Sequence, residues 1–136
     1  FSPDSSLVSV LTSKPSVVLL DVSSDSQIKL KELKETHPIT PWCSAFTSNS
    51  SSVYFTGTGG NLAKWDFTND SELKHSSNLA ESTNSSTLTR LETITNDLVL
   101  IENEFGDLIL YDFETQKIDK VLRSAERGLG SRGTLV

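Results

Sequence analysis

Four groups of residues in this 136-residue chain carry side chains able to do chemistry. Hydrolysis of an ester or amide needs a nucleophile, a base within hydrogen-bond reach and a group to orient the base. Cys43 and His37 are close in sequence, but Cys43 lies between Trp42 and Phe46 in a strand-like run, where it reads as a small buried hydrophobe. His37, His75 and Cys43 lack the spacing of a metal-ligand set, so no metal is implied. Thr56-Gly57-Thr58-Gly59-Gly60 has the glycine content of a phosphate-cradling loop, yet it lacks the Gly-Lys-Ser/Thr ending. The following segment, Asn61–Phe67, alternates as a strand, so the glycines are expected to make a hairpin turn with positive φ. Asp66 and Asp112 each follow a large aromatic residue and read as turn residues accepting backbone hydrogen bonds, not as general acids. Trp42, at the start of a strand, either packs between sheets or anchors a partner. None of these groups identifies a catalytic residue or a small-molecule cofactor.

The elements that must position these residues repeat. Phe1-Ser2-Pro3-Asp4-Ser5 is echoed 45 residues later by Phe46-Thr47-Ser48-Asn49-Ser50. Leu20-Asp21-Val22, Trp65-Asp66-Phe67 and Tyr111-Asp112-Phe113 place their aspartates 45 and 46 residues apart. A period of about 40–45 residues suits a four-stranded propeller blade. Within each period, β-branched and aromatic runs alternate with Gly, Asn, Asp, Ser and Pro, which predicts strands. The first period offers Leu7–Leu11, Ser16–Val22 and Gln27–Leu33. The Lys/Glu-rich end of the last run could form a short helix, but an outer, charged strand fits the repeat better. The second offers Pro41–Thr47, Ser52–Gly57, Asn61–Phe67 and a weak element at Glu72–His75. The third offers Thr87–Ile94, Leu98–Glu102, Asp107–Phe113 and Lys117–Leu122, with Phe105-Gly106 at its turn.

Composition narrows the class. With 35% hydrophobic and 22% charged residues, the chain is too apolar for disorder and too polar for a membrane protein, and no run approaches about 18 apolar residues. A net charge of −6 argues against broad electrostatic capture of nucleic acid or an anionic membrane. Lys117, Lys120, Arg123, Arg127 and Arg132 could still contact RNA or an acidic partner, although Asp119 and Glu126 are interspersed and a solvated outer strand explains them. A single cysteine and the lack of a basic-then-apolar leader point to an intracellular compartment, cytoplasmic or nuclear. The sequons at Asn49, Asn69 and Asn84 then read as Ser/Asn-rich loops.

The segment Val53-Tyr-Phe-Thr-Gly-Thr-Gly-Gly-Asn-Leu-Ala-Lys-Trp65-Asp66-Phe67, with a Phe-Ser-Pro-Asp block one period earlier, resembles WD-repeat proteins over essentially the whole chain. The resemblance implies an all-β fold of about three four-stranded antiparallel blades at residues 1–34, 36–78 and 84–122, with a further blade starting at 125–136. It also implies a blade-stapling network of a His, a Ser or Thr, the Trp and an Asp, for which His37, Trp65, Asp66, His75 and Asp112 stand near the family positions. Neither histidine follows the glycine usual there. Thr36-His37-Pro-Ile-Thr-Pro-Trp42-Cys-Ser-Ala45-Phe46 is similar in addition to the WD-repeat methylesterases of diphthamide synthesis. It differs from them in having one Gly-Gly where they carry Gly-Gly-Asp-Asp, and no catalytic residue carries over.

The function expected is protein-interaction scaffolding in a multiprotein complex, with other proteins as partners and no membrane association. A diphthine methyl ester hydrolase is the alternative from enzyme chemistry, and an accessory subunit of an RNA-processing or tRNA-modification complex is the third reading. The first blade is expected to lack its first strand, and because about three blades cannot close a ring, further blades are expected from the parent chain or a partner.

Overall fold

The computed structural model describes residues 1–122 except 13, 15, 25–28, 35, 37–38, 70–71, 77–78 and 84–86. His37, and the segment 125–136 expected to begin a further blade, lie outside the described residues, as do Arg123, Arg127 and Arg132. Among the described residues eleven strands form three antiparallel meanders, an all-β arrangement. The first sheet holds β1 (Leu7–Thr12), β2 (Ser16–Asp21) and β3 (Lys29–Leu33) in that order. The second holds β4 (Pro41–Phe46), β5 (Ser52–Gly57), β6 (Leu62–Asp66) and β7 (Glu72–His75). The third holds β8 (Leu88–Thr93), β9 (Leu98–Asn103), β10 (Leu108–Asp112) and β11 (Lys117–Leu122). The Lys/Glu run at 29–33 is therefore a strand, paired to β2 from Val17↔Leu33 to Asp21↔Lys29. A short helix, α1 (Leu79–Thr83), was not expected; it sets Leu79 in the core between the second and third sheets.

The repeat read from sequence returns atom by atom in the turns. Ser2 N donates to Leu7 O at 2.8 Å, and Thr47 N donates to Ser52 O at 3.0 Å. Asp4 Oδ1 accepts from Ser2 Oγ at 2.6 Å and Ser6 N at 3.0 Å; Asn49 Oδ1 accepts from Thr47 Oγ1 at 2.7 Å and Ser51 N at 3.2 Å. Ser5 (φ 62°) and Ser50 (φ 56°) take the same left-handed conformation, uncommon for a residue other than glycine. This equivalence makes β1 the counterpart of β5, the second strand of the repeat, and the first sheet has three strands among the described residues.

The sheets pack face to face. Val53 and Phe55 of β5, with Ala63 and Trp65 of β6, join Val17, Leu19, Ile39, Phe46 and Phe67 in one core. Tyr54 and Leu62, pointing the other way, join Leu91, Val99, Ile101, Ile109 and Tyr111 in a second. Strand alternation thus divides the middle sheet between two cores, which is why every residue of β5 is buried. Full burial of each large apolar side chain contributes about 1.5–3 kcal/mol. Phe46–Phe67 and Trp65–Phe67 meet edge to face at 6.2 and 6.0 Å, and Tyr54–Phe113 at 5.4 Å. First strands lie side by side: β4 touches β8, and β1 touches β4 much as β5 touches β8. Ser9 Oγ and Ser44 Oγ are 2.7 Å apart, and Thr93 Oγ1 donates to Phe46 O at 2.8 Å. Three such sheets stacked in sequence are consistent with successive blades. Among the described residues no helix is long and apolar enough to cross a membrane.

Candidate functional site

The repeated aspartates serve their own turns. Asp66 Oδ1 accepts from Thr68 N (3.1 Å), Thr68 Oγ1 (3.0 Å) and Asn69 N (3.0 Å). Asp112 Oδ1 accepts from Glu114 N and Thr115 N at 3.0 and 3.1 Å, and Asp21 Oδ1 accepts from Ser23 N at 3.0 Å. Partial desolvation raises the Asp66 carboxyl, but the Thr68 hydroxyl, the two amides and the nearby Lys64 charge outweigh it and hold the pKa below the usual range. A carboxylate held ionised and capped in this way is a turn acceptor and a poor proton donor.

The remaining chemical candidates do not converge. Cys43 is half-buried against the second core, and desolvation pushes its thiol up to about 12, so it is protonated at neutral pH. His75 is exposed on β7, paired with Ala63. Trp65 is buried, and its Nε1 has no hydrogen-bond partner among the described residues. The Thr56–Gly60 segment is a hairpin, with Gly59 (φ 88°) and Gly60 (φ 67°) in the conformation that glycine permits. Gly106 (φ 80°) does the same between β9 and β10.

Trp42 differs from all of these. It is the extra residue of a β-bulge, since the ladder steps from Pro41↔Gly57 to Cys43↔Thr56. A bulge turns a side chain out of the regular alternation, and the indole is 49% exposed. It is nonetheless held, because Nε1 donates to Leu88 O of β8 at 2.9 Å. Strand β8 bulges at the same place, between Leu88 and Arg90. Around Trp42 the backbone is tied across the sheets: Thr40 N donates to Thr58 Oγ1 (3.0 Å), Thr58 pairs with Thr87, and Glu104 N donates to Thr87 O (3.1 Å). Phe105, 39% exposed, stands on the adjoining turn of the third sheet, its N donating to Asn103 Oδ1 at 3.0 Å.

The result is a surface at one end of the second and third sheets, with two exposed aromatics on braced backbone. Sequence reading singled out Trp42 but took Phe105 for a turn residue alone; its apolar ring at a turn tip was the available signal. It also missed a cleft of about 270 Å³ near the opposite turns, lined in part by Lys64, Asp66, Asp97 and Glu114. There Lys64 Nζ pairs with Asp97 Oδ1 at 3.2 Å and lies 5.4 Å from the centre of the Tyr54 ring. No protein-family model matches the chain. No curated protein matches it.

Proposed function

We propose that the three sheets are consecutive blades of a WD-repeat β-propeller, and that the protein is an intracellular scaffold subunit which binds other proteins through the Trp42 surface. The 45-residue repeat, the matching turns and the side-by-side first strands support the propeller reading. One observation carries the binding reading: an aromatic side chain that is half-exposed yet fixed by a 2.9 Å hydrogen bond to the neighbouring sheet. Such a ring offers apolar contact area without a large ordering cost on binding, which is the property of an interface anchor. Because the bulge turns Trp42 out of the regular alternation, the exposed half of its ring is open to a partner.

Affinity purification of the wild-type chain beside Trp42→Ala tests the reading. The variant is expected to stay folded, losing about 1–3 kcal/mol, or about 3–10 °C in Tm, from the half-buried indole and its bond to Leu88, and to lose its partner by about tenfold or more, the scale of a hot-spot truncation. Equal recovery of the same partners by both proteins would overturn it.

A further inference from the structure

Resting on the docking role proposed for Trp42, we infer that this surface takes an arginine side chain of the partner, stacked on the exposed half of the indole. The bulge does not of itself call for an aromatic residue. Strand β8 bulges at the same level, and its extra residue, Thr89, turns its hydroxyl back onto its own sheet, donating to Glu102 O and Asn103 O at 3.3 and 3.4 Å. Strand β4 instead carries a large ring there and leaves half of it in solvent.

The single donor of that ring is already spent. Nε1 donates to Leu88 O at 2.9 Å, so the indole has no N–H for a partner's carbonyl and recognises through its π face. A π face attracts apolar groups and cations, and charge decides between them. The two turns beside the ring, 58–61 and 104–107, contain no lysine or arginine and two carboxyl residues, exposed Glu104 and buried Asp107. Glu104 is tied close to the indole's own anchor: its N donates to Thr87 O at 3.1 Å, and Thr87 adjoins Leu88. Among the described residues the cation over an aromatic ring is Lys64 above Tyr54, and none covers Trp42. A net charge of −6 over the chain steers a cationic segment toward it and an anionic one away.

Arginine suits this surface better than lysine. Its planar, weakly hydrated guanidinium stacks flat on an indole and leaves its N–H edges for the Glu104 carboxylate. The half-exposed Phe105 ring, next in the chain to Glu104, offers apolar contact for the methylene stem.

NMR of the isotope-labelled full chain, titrated with the blocked tripeptide acetyl-Gly-Arg-Gly-amide, tests it. The two tryptophans report separately, Trp42 at the surface and buried Trp65 as the internal control. Up to about 5 mM peptide, the Trp42 Nε1–H and Phe105 amide signals are expected to shift saturably while Trp65 stays in place. The citrulline peptide, alike in shape but uncharged, is expected to bind wild type about threefold or more weakly, and Glu104→Gln to bind the arginine peptide weakly to the same degree. Trp42→Ala is expected to show no shift at Phe105. No shift in wild type, equal affinity for the arginine and citrulline peptides, or a Phe105 shift that persists in Trp42→Ala overturns the inference. If affinity purification then still recovers a Trp42-dependent partner, the docking role stands and the arginine alone falls; if recovery is indifferent to Trp42, both fall.

Discussion

Gly57 closes β5 directly beneath the start of β4, and Gly57→Ala should be the most damaging single-methyl change in the second sheet. A Cβ built there lies 1.9 Å from Thr40 O and 2.9 Å from its carbonyl carbon. Both are backbone atoms, so no side chain can rotate away. The Thr40 carbonyl is further fixed by accepting from Thr58 N at 3.3 Å, and Pro41 follows it with restricted φ. Relief requires parting β4 from β5 at the Pro41↔Gly57 pair, which also loosens the base of the Trp42 bulge. Overpacking of this kind costs about 3 kcal/mol. With an unfolding entropy of about 0.29 kcal/mol/K for this length, that is a fall of about 10 °C in Tm. Gly59→Ala is the control, because Gly59 has φ 88° and the strain there is conformational. It should cost about 1 kcal/mol, or 3–4 °C. Thermal melts by far-UV circular dichroism read both. A Gly57→Ala shift of less than about 3 °C, or one no larger than that of Gly59→Ala, would refute the steric argument.

Asp4→Asn should leave the first turn intact, because Asn49 makes the corresponding bonds in the second sheet. The Ser2 and Ser6 hydroxyls and the Ser6 amide pull the Asp4 carboxyl down to about 2, so its stabilising effect is complete above about pH 4 and lost as pH falls toward 2. The variant's Tm should fall less steeply across that window, and parallel curves would count against the assignment. Native Cys43 should react with a thiol reagent at pH 8 about a thousandfold more slowly than in the unfolded chain, given a thiol pushed up to about 12 from near 9. Its contribution to stability is whole below pH 9 and declines between 9 and 12; rapid native alkylation would contradict the burial. Tyr54→Phe removes the bond from Tyr54 Oη to Asn96 O (2.7 Å) and should cost about 1 kcal/mol in urea unfolding. Trp65→Phe should cost about 1.5 kcal/mol or less, against about 3–5 for Trp65→Ala, because the truncation to Phe deletes an indole N–H that has no partner among the described residues.

The strand pattern was legible because it is local. Val53-Tyr54-Phe55 and Leu98-Val99-Leu100-Ile101 are β-forming runs, and the Gly and Asp turns punctuate them. The Asp66 and Asp112 turns were read correctly for the same reason, since their partners lie two and three residues away. Helix α1 was invisible because its five residues, Leu-Ala-Glu-Ser-Thr, are too short to show a period; packing of Leu79 into the second core and the bond from Thr83 Oγ1 to Leu79 O (2.8 Å) help set it. The anchoring of Trp42 on Leu88 could not be read at all, as it spans 46 residues and depends on a bulge that shifts one ladder against the next. Turn chemistry is written in neighbours, whereas the exposure of Trp42 and Phe105 is decided by how whole sheets meet.

The middle sheet, which gives Val53 and Phe55 to one core and Tyr54 to the other, acts as a party wall between two rooms. Neither outer sheet can detach without baring one side of it, yet among the described residues the first and third sheets share no core of their own. Stability in such an array is a chain of nearest-neighbour terms. Damage to an outer sheet should spread inward only as far as one shared face, whereas a lesion in β5 or β6 opens both rooms at once. Tolerance to substitution should therefore follow position along the stack as well as burial: Val53, Tyr54 and Trp65 should tolerate less change than the equally buried Val17 or Ile109.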